Sequence, residues 1–404
     1  MSAMVAGCSF FSNNSTAILW TDRPELAVYA ELYNTQTEGR KIEVVYKEAP
    51  WLALETETKH PDLAAGTRFD SVLTSKHFES LDSVIRKGRL DPARFYRGAF
   101  EMGRLEGVCY LVPVSFSLPA VIFKADLASS LPNDYIITYE EIRLLSNGFN
   151  AMDGRSLRLG YSPRWQPDFV YRLSQLFGAD YTQSKERLLM WNDAKVRQTV
   201  TYAADWIETT NGGLSREKIF ETRYMHDPLY KLLDTDRILF NYLMIGSYLS
   251  IPATIREKLD FRWLSDGEKI MVGDDVLFIG VPRQSRQKKT AQDFICWLSS
   301  YETQVKLLES AQFQRMRFFG IAGGLSAITA VNTDAIPRFF PFMLGHIPHS
   351  GYLAFPRRLP ASWEMMRSEV IVPWFTTALS ETGAAATLAD AIARWRLRQP
   401  AFYR

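Results

Sequence analysis

The sequence predicts an α/β protein built from two lobes. Its 404 residues are more than one hydrophobic core usually serves. Short apolar runs typical of buried strands alternate with segments whose apolar residues recur at helical spacing. An apolar content of 47% and an aromatic content of 13% are enough for full cores. We therefore expect mixed, mostly parallel sheets flanked by helices in each lobe.

The chain opens with a β-α-β unit. Residues 16–20 and 41–46 are the predicted strands. Thr21 or Asp22 can cap the helix between them, and Pro24 fits its first turn. The apolar face of that helix comprises Leu26, Tyr29, Ala30 and Tyr33. Such a unit implies parallel strands with a right-handed crossover.

The next elements continue the alternation of strands and helices. Residues 68–74 are predicted as the third strand, although Pro61-Asp62 could also open it. Residues 106–117 contain a further predicted strand. A strand at 157–162 and two helices follow, the second capped near Asn192. Residues 238–251 are predicted to be a buried strand and turn, because they are too short and too polar to span a membrane.

The most informative run is residues 276–304. A short apolar strand ends near Pro282, and a helix follows with Ala291, Phe294, Ile295 and Leu298 on one face. Ser299 and Glu302 have the spacing of a capping box, which predicts the start of a second helix. By spacing alone this run suits many α/β proteins.

Taken together, several of these runs resemble the extracellular solute-binding proteins of bacterial ABC importers, and most closely the sugar-binding, maltodextrin-receptor type. The strand, the turn with Ser and basic residues, Ala-x-x-Phe, Trp-Leu and Ser-x-Glu-x-Gln in residues 276–304 carry the resemblance. Gly107-x-x-Tyr110-x-x-Pro113 and the Asp126-Leu127 segment add to it, although Phe123-Lys124 replaces the usual Tyr-Asn. The resemblance is weak at individual positions, but the matching segments occur in the same order over roughly residues 16–400.

The resemblance implies a two-lobed periplasmic-binding-protein-like fold of type II. The expected division is a tether at 1–15, a first lobe at 16–116 plus 265–315, and a second lobe at 117–264 plus 316–404. It further implies a non-enzymatic receptor, expected to be a monomer. The receptor captures a small solute, most simply a mono- or oligosaccharide, by hinge closure and delivers it to ABC permease subunits.

The N-terminal run Val5-Ala6-Gly7-Cys8 matches the bacterial lipobox, in which the cysteine carries the lipid. Only seven residues precede Cys8, so the basic and apolar regions of an export signal are missing from this sequence. Cys8 is thus the expected lipidation site of an exported protein held at the periplasmic or outer face of the cytoplasmic membrane. An incidental cysteine near the terminus is the alternative.

No sequence motif indicates nucleic-acid binding, metal binding or a known class of enzyme. The chain has 47 Lys and Arg residues and 45 Asp and Glu residues, so no excess of positive charge indicates a surface that binds nucleic acid. The histidines make no helical metal-ligand pair, and there is no P-loop, nucleophile elbow or dinucleotide glycine pattern. We expect no catalytic residues, no cofactor and no metal. A buried acid pair like that of a glycosidase stays open, because nothing singles one out.

The expected ligand site lies where strands give way to turns, since ligands of open α/β sheets bind at carboxyl strand ends. Sugar rings rest on flat side chains and sugar hydroxyls pair with polar ones. The predicted aromatic contacts are Trp20, Tyr46, Phe116, Trp165 and Tyr248. The predicted polar contacts are Asp22, Arg23, Asp70, Ser115 and Arg164, with Asp274 at or near the hinge.

Three alternatives remain open at this stage. The solute could be a polyamine, a sugar phosphate or another anion, and an anion would need Arg23, Arg68 and Arg164 to converge. The chain could instead be a two-lobed α/β enzyme such as a transferase. It could also be a binding-protein fold used as an interaction or sensor module.

Overall fold

The computed structural model describes residues 15–133, 135–153, 156–380 and 386–399. Cys8 and the predicted lipobox lie outside them. Within this part of the chain the strands are β1 (Ser15–Thr21), β2 (Arg40–Tyr46), β3 (Leu63–Gly66), β4 (Arg104–Leu105), β5 (Val108–Cys109), β6 (Leu111–Phe116), β7 (Pro119–Lys124), β8 (Ile136–Thr138), β9 (Ala151–Asp153), β10 (Ser156–Arg158), β11 (Asn241–Met244), β12 (Leu259–Ser265), β13 (Ile270–Met271), β14 (Leu277–Gly280), β15 (Leu325–Ser326) and β16 (Leu353–Ala354).

The α-helices of the same residues are α1 (Glu25–Gln36), α2 (Pro50–Thr56), α3 (Thr74–His77), α4 (Asp82–Arg86), α5 (Arg97–Met102), α6 (Tyr139–Phe149), α7 (Pro167–Leu176), α8 (Asp193–Asp205), α9 (Leu214–Tyr224), α10 (Leu229–Asp234), α11 (Ala253–Arg256), α12 (Lys288–Leu298), α13 (Tyr301–Phe313), α14 (Ile336–Phe339), α15 (Trp363–Met366), α16 (Val372–Ala378) and α17 (Leu388–Arg398). None of the helices in the described ranges is both long and apolar enough to cross a membrane.

The first lobe is organised around a six-stranded sheet in the order β15-β6-β14-β3-β1-β2. β1 pairs in parallel with both β2 and β3, whereas β14 runs antiparallel between β3 and β6. The predicted β-α-β opening is therefore confirmed. Because β1, β2 and β3 run in one direction, their carboxyl ends meet at one edge of the sheet.

The second lobe is organised around a four-stranded sheet in the order β11-β7-β12-β8. β7 runs antiparallel to both of its neighbours, and β12 pairs in parallel with β8. Helix α6 begins with a complete capping box, in which Thr138 and Glu141 bond each other's backbone N–H groups. Two mixed sheets flanked by helices, one in each lobe, confirm the predicted α/β fold class. Antiparallel pairings outnumber parallel ones in both sheets, so the prediction of mostly parallel sheets was wrong.

Two predicted elements were wrong in detail. The third strand is β3 rather than residues 68–74, and Pro61-Asp62 opens it. The run Leu63-Ala-Ala-Gly66 is short and made of small residues, so its apolar signal is weak, while Arg68 has a left-handed backbone (φ 70°) that ends the strand. The cap of α13 is Ser300, whose hydroxyl accepts from the Thr303 N–H, and not Ser299.

The Asp62 side chain holds the turn between β14 and α12 against β1 and β3 through hydrogen bonds. Its Oδ1 accepts from the Ser285 hydroxyl at 2.9 Å and from the backbone N–H groups of Arg286 and Gln287 at 2.8 and 2.9 Å. Its Oδ2 accepts from the Ile18 N–H at 3.1 Å. One buried carboxylate thus joins β1, the start of β3 and the turn before α12.

The sheet of the first lobe extends past residue 315, the predicted lobe boundary, because β15 adds to β6. The chain then passes through α14 and the β13–β16 pair to the terminal helices, which pack in the second lobe. Contacts between α16 and α7 anchor them there. The division of the chain into lobes at particular residues stays a prediction.

Candidate functional site

The carboxyl edge of the first sheet faces the second lobe, and it gathers several predicted site residues. Asp22 and Arg23 follow β1, Tyr46 is the last residue of β2 in register with Thr21, and Asp70 lies in the loop after β3. Tyr46 is 63% exposed, whereas Asp70 is buried. Parallel strand ends therefore bring together residues from three separate segments.

Three side chains after β1 form what we call the β1-end cluster: Asp22, Arg23 and Glu25. The Arg23 Nε lies 3.6 Å from the Asp22 Oδ1, which makes an ion pair that is too long for a hydrogen bond. Asp22 Oδ1, Arg23 Nε and Glu25 Oε2 are all buried without a hydrogen-bond partner among the described residues. Buried polar atoms are normally satisfied, so this cluster has room for ligand atoms.

The electrostatics of the β1-end cluster are acidic. Burial raises the pKa of Asp22; Arg23 opposes this shift, while the carboxylates of Glu364 and Glu25 add to it. Glu364 belongs to α15 of the second lobe. The cluster and α15 are thus close enough to interact across the interface between the lobes.

The second lobe approaches the same edge through a glycine contact. A Cβ atom on Gly246 would lie 2.5 Å from the backbone oxygen of Gly323, and a Cβ on Gly323 would lie 4.0 Å from Glu25 Oε1. Gly246 follows β11, and Gly323 belongs to the loop between α13 and β15. Backbone from both lobes therefore meets beside the β1-end cluster.

Asp274, predicted as a ligand contact, is fully engaged by protein. Its Oδ1 accepts from Arg172 Nη1 and Gln175 Nε2, both at 3.1 Å. Its Oδ2 accepts from Tyr171 Oη at 2.6 Å and from Trp363 Nε1 at 3.1 Å. The structure corrects this assignment: Asp274 anchors the crossing segment before β14 to α7 and α15, with no oxygen left for a ligand.

The charges around Asp274 keep it ionised. Burial by itself would raise the pKa of this carboxyl, but the guanidinium groups of Arg172, Arg367 and Arg68 hold it well below its usual range. Asp70 behaves differently, because burial outweighs Arg68 and Arg358 and raises its pKa. Asp70 and Asp274 therefore belong to one charged network.

Two predicted contacts of the second lobe are occupied elsewhere. Arg164 Nη1 lies 3.1 Å from Glu217 Oε2 and 3.1 Å from Glu221 Oε1. The Trp165 ring stacks on Phe220 at a centroid distance of 5.0 Å. Both side chains hold α9 in place, and the three arginines suggested for an anion do not converge.

The remaining predicted residues are placed in or near the core. Tyr248 is 1% exposed and packs on Phe342 at 4.7 Å, so it is a core ring and not a surface for a sugar. Phe116 packs edge-on against Tyr96, and Ser115 is buried within β6. Trp20 is buried too, with Lys47 Nζ 4.6 Å above its ring centroid.

Two larger cavities lie near these residues. The residues predicted to contact a saccharide line neither of them, whereas Arg68, suggested for an anion, lines one. A cavity of about 320 Å³ lies between the lobes, with Trp51, Arg68 and His77 on one wall and Gln183 and Ser362 on the other. A second, of about 650 Å³, is lined by residues that include Tyr96, Tyr135 and Tyr352. Among the described residues that line the two cavities, only Arg68 of the smaller cavity has a buried polar atom, Nε, without a hydrogen-bond partner. The smaller cavity therefore fits a polar ligand better than the larger one.

Sequence reasoning missed Glu25, Trp363 and Glu364 as site residues. No local pattern joins residue 25 to residue 364, since their proximity comes from the packing of the lobes. The described residues also contain no group of three His, Cys, Asp or Glu side chains that could hold a metal ion.

The fold has many solved counterparts. A sugar transporter of Rhizobium etli in an open conformation superposes with a TM-score of 0.68 at 12% identity, covering 96% of this chain and 100% of that one. The sugar-binding protein MalE of Xanthomonas citri gives 0.65 at 14% identity, covering 96% and 100%. This chain has the fold of the sugar-binding proteins of ABC transporters. An ABC substrate-binding protein of Listeria monocytogenes in complex with cycloalternan gives 0.62 at 14%, covering 94% and 96%.

Sequence comparison adds nothing to this likeness. No family model matches the chain, and no curated protein does. At these identities the solved structures establish the architecture of the chain. The choice of ligand has to be argued from the side chains.

Proposed function

We propose that this protein is the substrate-binding receptor of an ABC importer and that it captures a saccharide between its two lobes. The observation that carries the proposal is the β1-end cluster. Asp22 and Glu25 offer acceptors and Arg23 a donor that make no hydrogen bond within the described part of the chain, at the carboxyl edge of the first sheet. A sugar hydroxyl both donates and accepts, so neighbouring hydroxyls suit such a mixed set.

The solved counterparts support the same ligand class. Their bound molecules include cycloalternan, mannotriose and maltose. Capture would be reversible and would involve no bond making, with closure of the lobes around the sugar excluding water. The crossing segment held by Asp274 would then be the fixed part around which the lobes move.

We further propose that Cys8 carries a lipid that holds the receptor on the outer face of the cytoplasmic membrane. Permease subunits would be its protein partners, and the receptor itself would act as a monomer. Metabolic labelling with a radioactive fatty acid tests the anchor. Label on the wild type but not on Cys8→Ala supports it, and equal labelling of both contradicts it.

A thermal-shift screen of the purified chain tests the ligand class. The panel contains neutral mono- and oligosaccharides, sugar phosphates and polyamines. A ligand at 100 times its dissociation constant stabilises the folded state by about 2.7 kcal/mol, which is measurable as a shift in Tm. Stabilisation by a saccharide that is lost in Asp22→Asn and kept in Asp275→Asn supports the proposal.

One observation favours a second candidate. The carboxylates of Glu364 and Glu25 both act on Asp22, and an acidic environment would also suit the ammonium groups of a polyamine. Stabilisation by a polyamine, with no response to any saccharide, would replace the saccharide receptor with a polyamine receptor. The same screen therefore separates the two functions.

A further inference from the structure

We propose that the 320 Å³ cavity between the lobes is a subsite for an acidic group of the ligand, with Arg68 as its anchor, so that the captured saccharide carries a carboxylate or phosphate. This inference rests on the proposed function and names the ligand class of the same crevice. The cavity and the β1-end cluster are joined through α15. Ser362, which precedes α15, lines the cavity, and the charge of Glu364 in α15 acts on Asp22.

Arg68 has a buried N–H group that no described residue accepts from. The side chain is 4% exposed, it lines the cavity, and its Nε has no hydrogen-bond partner among the described residues. A buried donor without a partner is costly, and a guanidinium is well matched to a carboxylate or phosphate. Its left-handed backbone, at φ 70°, places it at the point where β3 gives way to the loop.

Arg68 belongs to a network of charged side chains. Its charge acts on both Asp70 and Asp274, while Arg172, Arg358 and Arg367 act on these carboxylates and on those of Asp168 and Glu106. None of these carboxylates accepts a hydrogen bond from Arg68 Nε. This N–H group is therefore available to an anionic group in the cavity.

The acidic residues that line the cavity are already engaged. Glu55 Oε1 lies 2.6 Å from His77 Nε2, and Glu55 Oε2 lies 3.0 Å from Lys76 Nζ. Glu186 Oε2 accepts from the Ser184 hydroxyl at 2.9 Å. The second lobe adds Arg396 to the same walls, so the cavity as a whole favours an anion.

The lining of the cavity also suits a sugar ring, because it combines flat apolar side chains with polar groups. Trp51 and Phe69 provide flat apolar surface, and Gln183 and Ser362 of the opposite lobe provide polar groups. The Val72 N–H donates to Gln183 Oε1 at 3.2 Å, so the two walls touch beside the cavity. An acidic ring held there would contact both lobes at once.

The test is calorimetric titration with matched pairs of probes. Digalacturonate is compared with neutral galactobiose, glucose 6-phosphate with glucose, and inorganic phosphate is titrated alone. We expect at least one acidic sugar to bind about tenfold more tightly than its neutral counterpart, as a charge-assisted hydrogen bond provides. The uronate and phosphate arms then identify which acid the subsite takes.

Arg68→Gln should remove this preference, so that the acidic sugar and its neutral counterpart bind the variant with equal affinity. Arg315→Gln is the matched control, because Arg315 is also an arginine with a left-handed backbone (φ 54°) but is exposed outside the cavity. If Arg68→Gln does not fold, added salt serves instead, since it should shrink the preference in the wild type.

The outcomes separate the two proposals. Equal binding of acidic and neutral sugars overturns the acidic subsite and leaves the saccharide receptor standing. A preference for the acidic sugar that survives in Arg68→Gln also overturns it. If no sugar of either kind binds, the proposed function fails and the subsite fails with it.

Discussion

Arg172 and Asp274 form a buried ion pair in which the Arg172 Nη1 lies 3.1 Å from the Asp274 Oδ1. Arg172 belongs to α7 of the second lobe, and Asp274 lies just before β14 of the first. The crossing segment is also fixed by its backbone, because the Gly273 N–H donates to the Ser117 oxygen at 2.8 Å. The pair therefore fixes where the chain leaves one lobe for the other.

Asp274→Ala should destabilise the protein by about 3–5 kcal/mol, because it leaves a buried guanidinium uncompensated. Urea unfolding of wild type and variant measures the difference. Asp275→Ala is the matched control, since Asp275 is exposed, and it should change stability by less than about 0.5 kcal/mol. Equal losses in the two variants would contradict the anchoring role of Asp274.

Asp62→Ala should cost about 3 kcal/mol, because it removes the acceptor from four donors, including two backbone N–H groups at the start of α12. Asp62→Asn keeps one acceptor oxygen and should cost less. Chemical denaturation followed by tryptophan fluorescence gives both values. A loss below about 1 kcal/mol in the alanine variant would show that the link between β1 and α12 is not stabilising.

Asp260 should make stability depend on pH in the acid range. Burial alone would raise its pKa, but hydrogen bonds with His346 and Arg262 lower it to about 2. A lowered folded-state pKa contributes stability above the unfolded value near 4, and this contribution is lost as the pH falls from about 4 to 2.

The variant Asp260→Asn should therefore be less stable than the wild type by up to about 2 kcal/mol at pH 6. The difference should shrink as the pH approaches 2. Urea unfolding at a series of pH values measures it. A difference that stays constant from pH 6 to pH 2 would exclude the ion pair as its cause.

Gly246→Ala should hinder closure of the lobes, because the added Cβ would overlap the backbone oxygen of Gly323. Overpacking of this kind costs about 1–3 kcal/mol, and if this cost falls on the closed state it weakens ligand binding by roughly 5- to 150-fold. Titration with a sugar found in the screen measures it. Gly148→Ala is the control, since its Cβ meets nothing within 4 Å; equal binding by both variants would show that the contact does not limit closure.

The sequence indicated the fold through its periodicity and its order of elements. The apolar runs of β1, β2 and β14 and the helical faces of α1 and α12 are local signals, and they were confirmed. β3 was misplaced because four small residues leave little pattern. A left-handed residue such as Arg68 is equally invisible in the sequence.

The candidate site was predictable only where it follows a strand. Asp22 and Arg23 follow directly from the end of β1. Tyr248 and Trp165 were chosen as rings near turns, yet rings also pack in cores, and only tertiary contacts distinguish the two uses. Glu364 could not be found, since its contact with the cluster joins residues more than 300 positions apart.

We propose that a saccharide binds at the β1-end cluster between the lobes. Calorimetric titration of the wild type and of Asp22→Asn with the best saccharide from the screen tests it most directly. We expect one binding site per chain and at least tenfold weaker binding by the variant, which corresponds to a loss of about 1.4 kcal/mol of binding free energy. Unchanged affinity in Asp22→Asn, or no heat with any saccharide, would contradict it.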